Sequence, residues 1–418
     1  MSRLLIRDLA QVATPAGRAA PLRGHAMGGV DVIDDAFVLC SDGVVEAVGR
    51  MSELPSISGD LEEIDARGLT AIPGLVDCHT HACFAGDRVE EFSLRAAGAT
   101  YEELHASGGG ILSTVRATRA ATPHELLAAT ELHRGWMRAH GTTTFEAKSG
   151  YGLDRDTELA QLDAVRAAGG SPTWLGAHTV PPEFSNADAY LDYALAEVLP
   201  AAARVAHAAD VFLERGSFDA TQARRYLEAC RLAGLTLRLH GDQFTEAGAI
   251  PLAVELGARS VDHLEATGPD GVRTLAASSV TGVLLPASAL FLGRPMPPAR
   301  ALVDAGASVA LATDFNPGSA FCESLPLVCS LAATQLRLSP AEALSACTVN
   351  AAHVLGRADE IGRLAPGYRA DCVLLDAPDW RYLAYHLGGE LVESVVIQGK
   401  ALAGDGGRGR RSIRNGLR

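Results

Sequence analysis

The sequence predicts an α/β protein: a TIM-like (β/α)8 barrel plus a small β-sandwich made from both chain ends. Three observations carry this. From Ala71 onward, eight apolar or β-branched runs alternate with Ala/Leu/Glu/Arg-rich stretches. The runs end near Cys78, Ala147, Ala177, Leu213, Leu239, Asp262, Leu285 and Ala312, and that many alternating units fit a closed barrel better than an open sheet. Residues before 70 and after about 350 read instead as short strands and turns. Finally, five of the thirteen histidines fall at the ends of barrel runs, where such barrels carry their active sites.

The elements follow in order. Asp35 to Gly49 reads as a hairpin around Ser41-Asp-Gly43, and the Gly- and Ala-rich stretch Gly17 to Asp31 as a loop. Ile72 to Cys78, apolar apart from Asp77 and bounded by Gly and Pro, reads as one buried strand. Helices are expected over Glu125–Ala139, Thr157–Ala168, Tyr190–Ala208, Thr221–Ala233 and Glu246–Leu256. After Asn350 the strand pattern returns, in Gly362–Asp376 and Val392–Lys400, and should pair with the N-terminal strands. The resulting division is 1–70 and 357–404 for the sandwich, 71–356 for the barrel, and 405–418 for a Gly/Arg-rich tail expected to be disordered.

Composition narrows the partners. A formal net charge of −14 argues against nucleic acid and anionic membrane, which favour basic surfaces. It also means that an anionic substrate needs a local arginine. The eight cysteines lack a C-x-x-C pair and read as reduced thiols of a cytoplasmic protein. The N-terminus has no long apolar core of a signal peptide, and the apolar run Val280–Gly293 is broken by Pro286, so no membrane span is expected.

The strand ends carry the chemistry. His79 and His81 lie two residues apart, so in extended chain they share a face, roughly 6.5–7 Å apart. With His240 and Asp314 they make three imidazoles and one carboxylate, a donor set for one Zn²⁺ or Fe²⁺. Such an ion lowers the pKa of bound water to about 7. Glu146, Lys148, His178, Glu214, His263 and Pro286 fall at the other strand ends, whereas His133, His140 and His207 read as solvated surface residues. Arg88, on the loop after the first run, can fork onto a carboxylate. Tyr151 sits in the Gly-flanked Lys148-Ser-Gly-Tyr-Gly152. Asn316, Gly318 and Ser319 follow Asp314 in a segment that can equally be a plain turn. Gly108-Gly-Gly110 lacks phosphate-loop spacing and reads as a mobile flap or a linker. A carboxylated Lys148 bridging two metals is a lesser reading.

The motifs Pro73-Gly-Leu-Val-Asp-Cys-His-Thr-His81, Gly108 to Arg119, Glu146-Ala-Lys-Ser-Gly-Tyr-Gly-Leu153, Ala177-His-Thr-Val-Pro-Pro-Glu183, Asp262-His-Leu-Glu265 and Thr313-Asp-Phe-Asn-Pro-Gly318 resemble the amidohydrolase superfamily. Within it they resemble the branch of histidine degradation that opens an imidazolone ring. The resemblance spans nearly the whole chain. It implies hydrolysis of 4-imidazolone-5-propanoate to N-formimidoyl-L-glutamate, and one divalent metal per chain, zinc or iron (Fe²⁺/Fe³⁺), on His79, His81, His240 and Asp314. It also implies substrate contacts at Arg88, Tyr151, His178, Gln243, Asn316, Gly318 and Ser319, and a homodimer.

Related deaminases have Glu where this chain has Gln243, and an amide cannot shuttle a proton. His263 and Asp314 are then the candidates for proton transfer, with His178 as the donor to the developing oxyanion. Two other readings stand beside this one. A nucleobase or triazine deaminase would need a carboxylate at Gln243. An inactive scaffold would not need the complete ligand set.

Overall fold

The computed structural model describes residues 3–98 and 109–402. Gly108 and the tail 405–418 lie outside the described residues. Eight parallel strands make the barrel, and the remaining eight, drawn from both ends of the chain, make a second, mixed sheet.

The N-terminal strands of the second sheet are β1 (Arg3–Pro15), β2 (Val30–Ser41), β3 (Val44–Arg50), β4 (Glu62–Asp65) and β5 (Thr70–Pro73). β2 and β3 form the expected hairpin. Its turn residues Asp42 and Gly43 both have positive φ, 50° and 83°, as a tight right-twisting hairpin requires.

The barrel follows: β6 (Leu75–Asp77), β7 (Thr142–Lys148), β8 (Ser171–Ala177), β9 (Ala208–Leu213), β10 (Thr236–Gly241), β11 (Ser260–His263), β12 (Thr281–Leu284) and β13 (Ser308–Leu311). These strands pair in sequence order, β6 through β13. Each ends within two residues of its expected position. The C-terminal strands β14 (Cys372–Leu375), β15 (Val392–Ile397) and β16 (Lys400–Leu402) complete the other sheet.

That sheet runs β16-β15-β14-β5-β1-β2-β3, with β4 also paired to β1. The two layers expected of a sandwich are one continuous hydrogen-bonded sheet folded round its own core. Leu4, Ile6, Val38 and Val45 from one end pack with Cys372, Leu374 and Val396 from the other.

Three expectations are corrected. Ile72–Cys78 is two strands, because β5 pairs antiparallel with β14 in the terminal sheet and β6 pairs with β7 in the barrel, with Gly74 between them. The helix expected over Tyr190–Ala208 ends at Ala202. It passes through a widened turn at Ala194–Val198, near Pro200, which has no N–H to donate, and Ala208 already belongs to β9. His133 is not on the surface. It is buried, its Nδ1 lies 2.8 Å from the Ala82 carbonyl, and its ring stacks on Phe84.

The barrel helices pack their apolar faces against the strands in one large core. Their starts are set by side-chain caps. Thr122 accepts from the Glu125 N–H while Glu125 reaches back to Thr122, and Asp219 and Gln222 do the same. Between β13 and β6 the barrel joins mainly beyond the strand ends. Asp77 accepts from the Thr313 N–H (3.2 Å) and hydroxyl (2.6 Å). The backbone bonds Asp314 N to His79 O and His81 N to Phe315 O follow. This seam places His79, His81 and Asp314 side by side. Among the described residues no helix is long and apolar enough to cross a membrane.

Candidate metal centre and substrate site

Alternation along the barrel strands decides which side chains enter the barrel, since residues two apart share a face. On β10, Arg238 and His240 point inward while Leu237 and Leu239 pack outward into the helical core. By the same rule Glu146 and Lys148 of β7, Asp210 of β9 and Asp262 of β11 face the interior. All six are buried.

Four donor atoms converge at the C-terminal end. Asp314 Oδ1 lies 3.6 Å from His79 Nε2 and 3.5 Å from His81 Nε2, and His240 Nε2 lies 3.3 Å from His81 Nε2. Ligand atoms arranged tetrahedrally about one zinc-sized cation stand about 3.3–3.4 Å apart, so the spacing fits one ion. His79 Nε2 is buried without a hydrogen-bond partner, an arrangement that is costly unless something electrophilic sits there. His79, His240 and His263 also bring ligand atoms within 4.8 Å of one another.

The ring nitrogens turned away from the centre are held by carboxylates. Asp262 Oδ2 is 2.6 Å from His79 Nδ1, and Asp210 Oδ1 is 2.9 Å from His240 Nδ1. A carboxylate on Nδ1 fixes the tautomer that leaves Nε2 free as a ligand. Both aspartates converge on Lys148, whose ammonium lies 2.8 Å from Glu146, 2.9 Å from Asp210 and 3.9 Å from Asp262. Glu146 is further paired with Arg238 at 3.1 Å. Burial works against the Lys148 charge, but Asp210, Glu146 and Asp262 outweigh it and raise its pKa. An ammonium so engaged has no lone pair for carboxylation, which counts against the two-metal reading.

Asp210 and Arg238 were not singled out in the sequence, and Glu146 and Asp262 were placed at strand ends there without a role. Their signal was there: Asp210 in Ala-Ala-Asp-Val-Phe-Leu and Arg238 in Thr-Leu-Arg-Leu-His are charges inside apolar strands, and charged residues are seldom fully buried unless paired.

The other expected residues surround the same point. His263 and Leu264 both have positive φ, 85° and 72°, the kind of backbone strain that collects at functional sites. His263 Nδ1 faces Glu265 at 3.4 Å. Burial disfavours its charged form, but Glu265, Asp314 and Asp262 outweigh it and hold the imidazole above its ordinary value. Burial likewise raises Asp314, with His263 and His240 pulling against it.

The Tyr151 ring lies 5.9 Å from that of His81 and 5.5 Å from that of His178, and burial keeps its phenol protonated. His178 stacks on His81 at 5.3 Å. Its Nδ1 lies 3.0 Å from the Gly150 carbonyl, and burial, with His240 nearby, lowers its pKa to about 3. A neutral imidazole donating from Nδ1 presents a lone pair at Nε2. In that neutral form Nε2 of His178 is available as an acceptor.

Arg88 gives Nε (3.0 Å) and Nη2 to the Glu91 carboxylate. Its Nη1 lies so close to Gly318 that any Cβ there would meet it at 1.9 Å. Gly318 is thus glycine for contact. The Asn316 side chain is engaged in its own loop, accepting from Gly318 N and Ser319 N at 2.8 Å each and donating to the Asp314 carbonyl. The Ser319 hydroxyl reaches the second Asp314 oxygen at 3.4 Å. Both shape the loop around Asp314. Gln243 is buried, on a turn whose next two N–H groups, of Phe244 and Thr245, donate to Glu214.

Comparison with known proteins identifies the family. The amidohydrolase family model matches residues 70–402. The chain is 62% identical to the imidazolonepropionase of Rubrobacter xylanophilus, over 96% of this chain and 98% of that protein. It is 48% identical to the imidazolonepropionase of Chloroflexus aggregans, again over 96% and 98%. Among solved structures, an adenosine deaminase from Xanthomonas campestris with bound zinc superposes with a TM-score of 0.71 at 20% identity, covering 96% of this chain and 92% of that one. That likeness is one of fold. With the family model spanning the barrel and relatives this similar over nearly their full length, the chain belongs to the amidohydrolase family and, within it, to the imidazolonepropionases.

Proposed function

We propose that this enzyme hydrolyses the ring amide C–N bond of 4-imidazolone-5-propanoate to give N-formimidoyl-L-glutamate. The observation that carries the reading is the meeting, at one barrel end, of a four-donor metal centre with an arginine seated against Gly318. His79, His81, His240 and Asp314 hold one divalent ion, zinc or iron, which when bound supplies the Lewis acidity that makes water a nucleophile at neutral pH.

The chain's own groups do the rest. Arg88 holds the propionate, and Tyr151 packs beside the His81 and His178 imidazoles. His178 Nε2 accepts from a ring N–H and fixes the ring's orientation. Gln243 hydrogen-bonds the ring amidine. Water adds to the ring carbonyl carbon while Asp314 takes its proton. The C–N bond then breaks, and the leaving nitrogen receives a proton by way of Asp314 and His263. The carbonyl carbon becomes the α-carboxylate, and the formimidoyl group stays on the α-nitrogen.

The test is ultraviolet loss of 4-imidazolone-5-propanoate with purified protein, beside cytosine and guanine. Turnover of a nucleobase, with none of the imidazolone, would sink this reading in favour of a deaminase. Metal analysis of the same sample should find about one divalent ion per chain, and His240→Ala should lose most of it. Two tightly bound ions would overturn the single-ion site. The same reading places the enzyme in the cytoplasm as a homodimer, which sedimentation velocity measures directly.

A further inference from the structure

The segment that carries Tyr151 is held by a buried carboxylate outside the chemistry described so far. Glu158 lies in the first turns of helix Arg155–Ala167 and is 1% exposed. Its Oε1 accepts from the N–H groups of Gly150 (3.0 Å), Gly152 (2.9 Å) and Leu153 (2.8 Å). Its Oε2 lies 3.2 Å from Gly150 N. Burial pushes its pKa up, while the Ser149 hydroxyl and these three N–H groups favour the ionised form and pull it back. The loop it gathers is not a relaxed one. Gly150 has φ +96°, a Cβ there would meet the Leu175 carbonyl at 2.7 Å, and Leu153 has φ +57°.

We propose that Glu158 is a positioning residue for ring opening, acting through Tyr151 and His178. The proposal rests on the roles assigned above to those two residues. Tyr151 lies between the bound N–H groups of Gly150 and Gly152, so clamping both sides sets the backbone from which its ring projects. Gly150 also supplies the carbonyl that accepts from His178 Nδ1 at 3.0 Å, so the same carboxylate fixes the atom that decides the His178 tautomer.

A tie that only closed a loop would need one bond at one end. Here three charge-assisted bonds converge on one anion, from residues flanking Tyr151. Arg119 adds a second tie, from its Nε to Gly152 O (2.6 Å) and from its Nη2 to Glu183 (2.7 Å). That links the Tyr151 loop to the segment following His178. The substitution Glu158→Gln keeps one oxygen to accept from the three N–H groups, but it removes the carboxylate charge and replaces Oε2, 3.2 Å from Gly150 N, with an NH₂ that cannot accept.

The experiment is a double-mutant cycle on the metal-loaded enzyme, with Glu158→Gln and His178→Ala made singly and together. kcat and KM for 4-imidazolone-5-propanoate, metal content and the ¹⁵N spectrum of the His178 ring are measured. Glu158→Gln should lose about 10- to 100-fold in kcat/KM, the scale of a small misplacement of reacting groups. Metal content should stay unchanged, and the His178 ring signals should move. The double variant should lose clearly less than the product of the two single losses, because the part of the Glu158 effect that passes through His178 is already gone while the part that passes through Tyr151 remains.

Losses that multiply in the double variant, with His178→Ala already costly, overturn the role of Glu158 alone. So does wild-type kcat/KM in Glu158→Gln. A His178→Ala enzyme with wild-type kcat/KM overturns the reading of the site and this proposal with it. If Glu158→Gln does not fold, Glu158→Asp keeps the charge, shortens the reach and carries the same cycle.

Discussion

The Arg88 guanidinium has two edges, and the fold uses one of them. Glu91 takes Nε and Nη2 and also accepts from Gly110 N at 2.7 Å, which leaves the Nη1 edge beside Gly318 for a substrate carboxylate. Arg88→Met should lower kcat/KM for 4-imidazolone-5-propanoate roughly 10- to 150-fold, the worth of about 1.5–3 kcal/mol of charge-assisted bonding. The loss should be much smaller for an imidazolone without the propionate. Equal losses for both compounds would place the carboxylate clamp elsewhere. Lys148 is the counterpart for the metal. Lys148→Met leaves Glu146 paired with Arg238 alone, and leaves Asp210 and Asp262 on His240 and His79 without their shared cationic anchor. Metal affinity, read by competition with a chelator, should fall about 10- to 100-fold. Affinity unchanged in a less stable protein would confine Lys148 to the fold.

At the scale of elements, strand alternation determines what enters the barrel, while local burial determines what titrates. The short helix Ala351–Val354 follows the last barrel strand and carries His353. Burial, reinforced by Arg259, lowers His353 to about 4, against about 6.5 in an unfolded chain. Between those values the unfolded chain takes up a proton that the folded protein refuses. The contribution of His353 to stability is therefore whole above about pH 6.5 and is lost as pH falls toward about 4. His353→Leu should lose less melting temperature than wild type between about pH 7 and pH 4.5. Parallel falls in the two proteins would mean that other groups carry the acid sensitivity of this region.

For the whole molecule, the deciding feature is the seam between the first and last barrel strands. β6 and β13 are joined through buried Asp77 and Thr313, and the backbone bonds beyond them hold His79 and His81 against Asp314 and Phe315. Thr313→Val keeps the shape and removes the 2.6 Å hydroxyl donor to Asp77. Urea unfolding of the metal-free protein should show a loss of about 1–3 kcal/mol, the cost of an under-satisfied buried carboxylate. Unchanged stability would mean that the strands close without this bond. The terminal sheet braces the same region from outside, since β5 runs through Gly74 into β6 and pairs with β14 from the far end of the chain.

The eight barrel strands and their ends were legible in the sequence because they depend on local periodicity, and periodicity survives without any partner. The positions of the proposed ligands were legible for a related reason: His79, His81, His240 and Asp314 each lie at or within three residues of the end of an apolar run. The resemblance to a known family then supplied the substrate.

What depends on distant partners was decided by the tertiary structure. Ile72–Cys78 reads as one strand until β14, from the other end of the chain, claims its first half. His133 reads as solvated until Phe84 stacks on it. The His178 tautomer is open in the sequence until the Gly150 carbonyl accepts from its Nδ1. The pairing of His79 with Asp262, 183 residues apart, and the meeting of Asp210, Asp262 and Glu146 on Lys148 depend on which strands adjoin. The reason is the same throughout: one residue's environment is made of side chains that only barrel closure brings within reach, and no local pattern encodes them.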